Sequence, residues 1–145
     1  MPNGPSRVRR ALSLYVKART DALSAARREL GLGDGDARAL LHIAAHPGIR
    51  PTQLREHLGI TSAGVTALID RLVDRGIVRR DVDPSDRRVN RISVTVDLDD
   101  EPWSRLGRFD NDFDLVAGEI EDHESDAFTA LLESLTTAAV DRGRR

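Results

Sequence analysis

The chain has no cysteine, so neither a disulfide framework nor a thiol redox switch is open to it. Near Met1 there is no positively charged start followed by an apolar stretch, which gives no support for a secretory signal. Charged residues fill 32% of the 145 positions, and nothing approaches the roughly 20 consecutive apolar residues of a membrane span. Signals of catalysis are missing as well: there is no nucleophile elbow, no glycine-rich phosphate loop and no carboxylate pair in a recognisable motif. The expectation is a non-enzymatic, cytoplasmic protein with no cofactor and no membrane contact. The 39% hydrophobic content that remains is enough to close one ordinary core.

The net charge of −2 hides a strong asymmetry. Before Asp97 there are 17 lysines and arginines against 10 acidic residues, and from Asp97 onward 5 against 14. A basic part followed by an acidic part can bring one face to phosphates while the other repels them and orients the molecule.

Hydrophobic periodicity places the helices. Val8, Ala11, Leu12, Tyr15, Ala18, Ala22, Ala26 and Leu30 recur at helical spacing and predict a long first helix, ended by the Gly31 to Gly35 stretch. A second helix is expected over Asp36 to Ala45, stopped by Pro47 and Gly48. A third begins at Pro51, where a missing N–H costs nothing, with Gln53 reaching back to the N-cap backbone, and closes at Gly59. The fourth, "ITSAGVTALIDRLVDRG", has Thr61 as its cap and Gly76 as its stop. Its apolar stripe of Val65, Leu68, Ile69, Leu72 and Val73 leaves Ser62, Ala63, Thr66, Ala67, Asp70, Arg71, Asp74 and Arg75 outward. The first turn of that outward face carries only small side chains, suited to lying flat against another surface.

After Gly76 the period changes to two. "IVRRDV" is one candidate strand, and Ile92, Val94 and Val96 alternate with polar residues in the next. Asp83 and Pro84 suit the first two positions of a type I turn between them. The result is a hairpin with Asp83, Asp86, Arg87 and Arg88 at its tip. Two further helices are expected. One restarts at Asp99 to Pro102 with an apolar face of Trp103, Leu106, Phe113, Val116, Ala117 and Ile120, and a last one near Ser125 buries Phe128, Leu131, Leu132, Leu135 and Ala139.

A short helix, a tight turn, a helix with a small exposed start and a charged hairpin form, in that order, a helix-turn-helix followed by a wing. An α-helix fits the major groove of DNA, and its N-terminal residues are those that reach base edges. Thr61, Ser62 and Thr66 offer hydrogen bonds to bases or phosphates, and Ala63 apolar contact to a thymine methyl. Arg71, Arg75, Arg79 and Arg80 are candidate phosphate contacts, which position without reading sequence. The hairpin tip is placed to bring arginine into the neighbouring minor groove, with Asp86 holding an arginine extended by an ion pair.

The stretch "LREHLGITSAGVTALIDRLVDRGIVRRDVDPSDRRVNRISVT", Leu54 to Thr95, resembles the winged core of the MarR family (multiple antibiotic resistance regulators). The specific elements are D-x-x-D-x-R, present as Asp83, Asp86 and Arg88, and the "SVT" at Ser93 to Thr95. The resemblance implies a mainly α fold of six helices with a small β-hairpin wing. It also implies a homodimer joined by the first and last helices, bound to a pseudopalindromic operator in double-stranded DNA. A repressor of this kind is released by a small, often aromatic ligand. By the same resemblance Asp86 and Arg88 are the wing-tip pair, and Ser62, Ala63, Thr66 and Ala67 face the groove. Ser85 and Ala67 stand where many members carry arginine, which moves the expected contacts to Arg87 and Arg71. Residues 1–35 are then an N-terminal dimerisation helix, 36–97 the winged DNA-binding core, and 98–145 the C-terminal dimerisation helices.

His42 and His46, four apart, have the spacing that brings two imidazoles to one metal, but two ligands are not a site, and His57 or a carboxylate has to complete the set. Lining of a ligand pocket is the expected role of His42 and His46, together with Tyr15 and Trp103. Phe109 is a further pocket candidate, and Phe113 is expected in the core. Two other functions fit the same pattern: a winged-helix adaptor whose basic face meets an acidic partner protein, and a metal-dependent regulator.

Overall fold

The computed structural model describes residues 4–144. The ends of the first and last expected segments, residues 1–3 and 145, lie outside them. The described chain forms two compact units that divide after Gly107.

In the first unit, α1 (Arg7–Glu29) starts at Ser6, whose Oγ accepts the Arg9 N–H at 3.1 Å. Its arginine-rich outer face leaves Val8, Leu14 and Val16 exposed, and Ala26 is its one buried residue. α2 (Asp34–Ala45) begins two residues earlier than the pattern suggested, with Gly33 as N-cap. Asp34 and Asp36 then both fall in the first turn, where carboxylates favourably meet the positive end of the helix dipole. α3 (Pro51–Leu58) follows, the Arg50 N–H donating to Gln53 Oε1 at 3.1 Å, and Gly59 ends it at φ +65°. That left-handed conformation, which costs a residue with a Cβ, makes the sharp turn between α3 and the next helix.

α4 (Ser62–Asp74) is capped as its sequence specifies, Thr61 Oγ1 accepting the Gly64 N–H at 3.0 Å. Val65, Leu68, Ile69 and Leu72 are buried, and Val73 is half-buried. They join Leu40 and Ile43 of α2, Leu54 of α3 and Ile77 and Ile92 of the hairpin in one core. Burial of each such side chain is worth about 1.5–3 kcal/mol, so the exposed face of α4 rests on a firm support. The hairpin pairs β1 (Val78–Val82) with β2 (Asn90–Val94), Val78 opposite Val94 and Val82 opposite Asn90. Ile92 also bridges to Ile49, which ties the hairpin to the loop before α3.

The loop at the hairpin tip differs from the expected turn. The hydrogen-bonded turn spans Asp86 to Val89, closed by Val89 N–H to the Asp86 carbonyl at 3.0 Å. Asp83 lies instead at the base of the loop, its N–H bonded to the Val89 carbonyl at 2.9 Å, because its carboxylate is turned inward.

The expected helix from Asp99 to Ile120 is also corrected. A short 3-10 helix, Trp103–Leu106, closes the first unit with Leu106 buried, and Gly107 N–H bonds back to the Ser104 carbonyl at 3.2 Å. α5 (Arg108–Ala117) then opens the second unit, followed by α6 (Asp122–Gly143). Neither helix contains a buried residue. Phe113, expected in the core, is 47% exposed, and Phe128 and Leu131, expected to be buried, are 62% and 57% exposed. Leu135 is exposed too, and only Leu132 of that row is half-buried. The helices form where the periodicity places them, but their apolar stripes are not buried. No helix of the described residues is long and apolar enough to cross a membrane.

Candidate nucleic-acid interface

The outer face of α4 stands clear of the core. Ser62, Ala63, Thr66, Ala67, Asp70 and Arg71 are exposed, together with the cap Thr61. The hydroxyls of the first turn are already oriented: Thr66 O–H donates to the Ser62 carbonyl at 3.0 Å, and Ser62 Oγ accepts from Arg55 Nη1 at 3.0 Å. Ser62 and Thr61, both acting as acceptors inside the chain, keep their hydroxyl protons for an outside partner.

The four arginines expected on phosphates are placed differently. Arg71 reaches Asp36 of α2 with Nη2 at 2.7 Å and Nε at 3.3 Å. That hydrogen bond, with the attraction of the carboxylate, raises the Arg71 pKa above its ordinary value. Arg75 donates to the Leu30 and Gly31 carbonyls at 2.8 and 3.0 Å, closing the C-terminal end of α1. Arg79 pairs with Asp81 at 2.8 Å, and Arg80 with Asp70. All four guanidiniums are thus committed inside the chain, Arg71 and Arg75 as braces between helices. Pairings across 35 to 45 residues leave no local trace in the sequence.

The wing tip is the opposite case. Arg87 and Arg88 occupy the two central positions of the Asp86 to Val89 turn, are exposed, and have no side-chain partner among the described residues. The expected ion pair from Asp86 is not made. Asp86 Oδ1 instead accepts the backbone N–H of Arg88 at 3.0 Å, which fixes the turn and leaves the guanidinium free. The wing's buried ion pair is made by Asp83, whose carboxylate is 3% exposed and meets Arg91 Nε and Nη2 at 2.7 and 2.6 Å. Ser85 adds its hydroxyl at 2.6 Å and its N–H at 2.9 Å. Donation from the Ser85 hydroxyl, the Ser85 N–H and Arg91 holds Asp83 far below the usual carboxylate range. Arg91 Nη1 also reaches the Gly48 carbonyl at 3.2 Å, so this ion pair fixes the base of the wing against the loop after α2.

The expected pocket set divides in two. His42 and His46 line an open cavity of about 380 Å³ with Pro47, Gly48, Ile49, Gln53 and Arg91. Tyr15 and Trp103 do not line it. Tyr15 lies on α1 well before that helix meets the core at Leu23 and Ala26, and Trp103 packs half-buried against the core itself. His57, from α3, stacks on His42 with ring centres 3.5 Å apart and planes 8° from parallel, while His46 lies 4.3 Å from His42 with its ring tilted by 33°. Burial, then the neighbouring His57 and His46, lowers the His42 pKa. Among the described residues no group of three or more His, Asp or Glu is arranged to hold a metal ion.

The fold is similar to that of known proteins. Residues 30–89 match the family model described as the MarR family. Staphylococcus aureus MepR bound to ethidium bromide superposes with a TM-score of 0.68 at 16% identity, over 94% of this chain and 99% of that one. A transcriptional regulator from Thermotoga maritima, Tm0710, gives 0.64 at 21% identity, over 94% and 96% of the two chains. An S. aureus MepR–DNA complex gives 0.55 at 22% identity, over 90% and 99%. No curated protein sequence matches the chain. Over residues 30–89 the chain is thus similar to the MarR family, and its fold is similar to that of the solved regulators above.

Proposed function

We propose that the protein is a sequence-specific DNA-binding repressor, cytoplasmic and dimeric, whose release from its operator is controlled by a small molecule. The observation that carries this is the pairing of two exposed surfaces on one rigid core. The small-residue start of α4 has the width and chemistry for a major groove, and Arg87 and Arg88 stand uncommitted at the end of an anchored wing. A S. aureus MepR of the same fold is known in complex with DNA. Thr61, Ser62, Ala63, Thr66 and Ala67 face the bases, Arg87 and Arg88 enter the flanking minor groove, and Asp86 shapes the turn that presents them. Arg71 and Arg75 serve the interface by holding α4 in place.

Dimerisation is supported by the apolar rows of α1, α5 and α6, which one chain leaves exposed: Leu14, Val16, Phe113, Val116, Phe128 and Leu131. A two-fold dimer holds two recognition helices about one turn of DNA apart, which is what a pseudopalindromic operator requires. For the ligand, the cavity beside His42 and His46 abuts Gly48 and Arg91, which anchor the wing. An aromatic molecule stacking there would act on the wing's position, and the MepR bound to ethidium shows a protein of this fold holding a planar aromatic ligand.

Arg87→Ala and Arg88→Ala test the DNA reading. Each is expected to weaken binding to a cognate duplex and to flatten the dependence of log affinity on log salt by about one. Unchanged affinity and slope in both variants would remove the wing from the interface.

A further inference from the structure

Arg55 is absent from the groove face that the sequence outlines, yet the structure delivers it there. It sits one turn before the end of α3, and its carbonyl accepts the Gly59 N–H at 2.9 Å and the Ile60 N–H at 3.4 Å, so its backbone is fixed to the turn. Its side chain spans that turn, and Nη1 donates to Ser62 Oγ at 3.0 Å. Both ends of the residue are therefore held, one by the turn and one by the first residue of α4.

What distinguishes Arg55 from the other arginines around α4 is the nature of its partner. Arg71 and Arg80 face carboxylates and Arg75 faces two carbonyls. Among the described residues Arg55 has one side-chain partner, a neutral hydroxyl. Its charge is uncompensated, and four of the five N–H groups of a guanidinium remain to be used. By accepting from Arg55, Ser62 is left as a donor toward the outside. The two side chains together present donors and no spare acceptor of comparable strength.

The major-groove edges of the bases differ in how they answer such a pair. Guanine offers two adjacent acceptors, N7 and O6, whereas adenine sets a donor beside its acceptor and cytosine offers a donor. We propose that Arg55, held by Ser62, reads a guanine in each half-site, making it a specificity-determining residue contributed by the first helix of the helix-turn-helix. The proposal rests on the DNA-binding function above.

The test is selection of bound duplexes from a random library with the full-length protein and its Arg55→Ala, Arg55→Lys and Ser62→Ala variants. Thermal unfolding by circular dichroism accompanies each. The unaltered protein should select a two-fold motif with a G·C pair in each half. Arg55→Ala should lose preference at that pair about tenfold or more, with the remaining positions of the motif kept. Arg55→Lys keeps the charge but not the planar fork, so it should lose preference there as well, and Ser62→Ala should lose less at the same pair. If Arg55→Ala is unfolded, the lysine and Ser62 variants decide. A uniform loss across all duplexes with a salt slope reduced by about one would make Arg55 a phosphate contact and overturn the proposal. The same motif with the same affinities would make it a brace of the turn and overturn it equally. No selected motif for the unaltered protein would overturn the DNA-binding function itself.

Discussion

Arg71 of α4 and Asp36 of α2 form an ion pair 2.7 Å long in which the carboxylate end is buried and the guanidinium end reaches solvent. The pair ties α4 to α2 from its outer side. The two ends are not equivalent. Removing Asp36 leaves a cation that water can hydrate, whereas removing Arg71 strands a carboxylate in a poorly hydrated site.

Arg71→Ala is therefore expected to lower the thermal midpoint more than Asp36→Ala. The double variant should be no less stable than Arg71→Ala alone, because the shared interaction is lost once. Differential scanning calorimetry of the three variants checks this. Losses that add would mean that the two residues act independently.

Asp83 sets a pH dependence in acid. Its folded pKa lies far below its unfolded value of about 3.8 because Ser85 and Arg91 donate to the charged form. The unfolded chain therefore binds the proton first as pH falls. The stabilisation is complete above that unfolded value and is lost progressively below it. Asp83→Asn removes the titration, so its urea midpoint should fall less steeply than that of the unaltered protein between about pH 5 and pH 3. Parallel curves would show that the Asp83 charge does not stabilise the wing.

His42 acts in a higher window. Burial, His57 and His46 lower its folded pKa below the ordinary 6.5, so the unfolded state again takes up the proton first. Its contribution is fully present above about pH 6.5 and is lost as pH falls from there toward the folded value. His42→Gln should flatten the stability profile over that interval, and the imidazole C–H resonances followed by NMR should report an acid-shifted titration for His42. A resonance titrating at or above the ordinary value would contradict the stacked arrangement.

The exposed row on α6 gives a prediction about assembly. Leu131→Asp puts a charge where apolar contact between copies is proposed, and in a buried interface an unpaired charge is costly. Sedimentation at micromolar concentration should show a monomer with its helical content retained. A dimer as stable as that of the unaltered protein would place the interface elsewhere.

The elements whose residues solve their own local problem were legible in the sequence. Thr61 caps α4, Gly59 closes α3, and the stripe from Val65 to Leu72 faces the core, because each depends on neighbours within a few positions. Contacts between distant segments were not legible. The spacing of His42 and His46 suggested a pair, but nothing in the sequence near His57 shows that it stacks on His42 from another helix. The wing signature marked Asp83, Asp86 and Arg88 without revealing that the buried ion pair joins Asp83 to Arg91. Apolar periodicity in α5 and α6 identified faces that need cover, but periodicity does not say whether the cover belongs to the same chain. Phe113 and Phe128, 47% and 62% exposed, lie on such faces.

The most direct measurement is fluorescence anisotropy of the purified protein with duplex DNA flanking its own gene, against a scrambled duplex of equal length, at two salt concentrations. Tight binding to the native duplex that weakens steeply with salt, with little binding to the scrambled one, is the expected result for a specific regulator. Equal, weak binding to both duplexes at both salts would contradict sequence-specific recognition of this DNA and turn attention to a protein partner for the basic face.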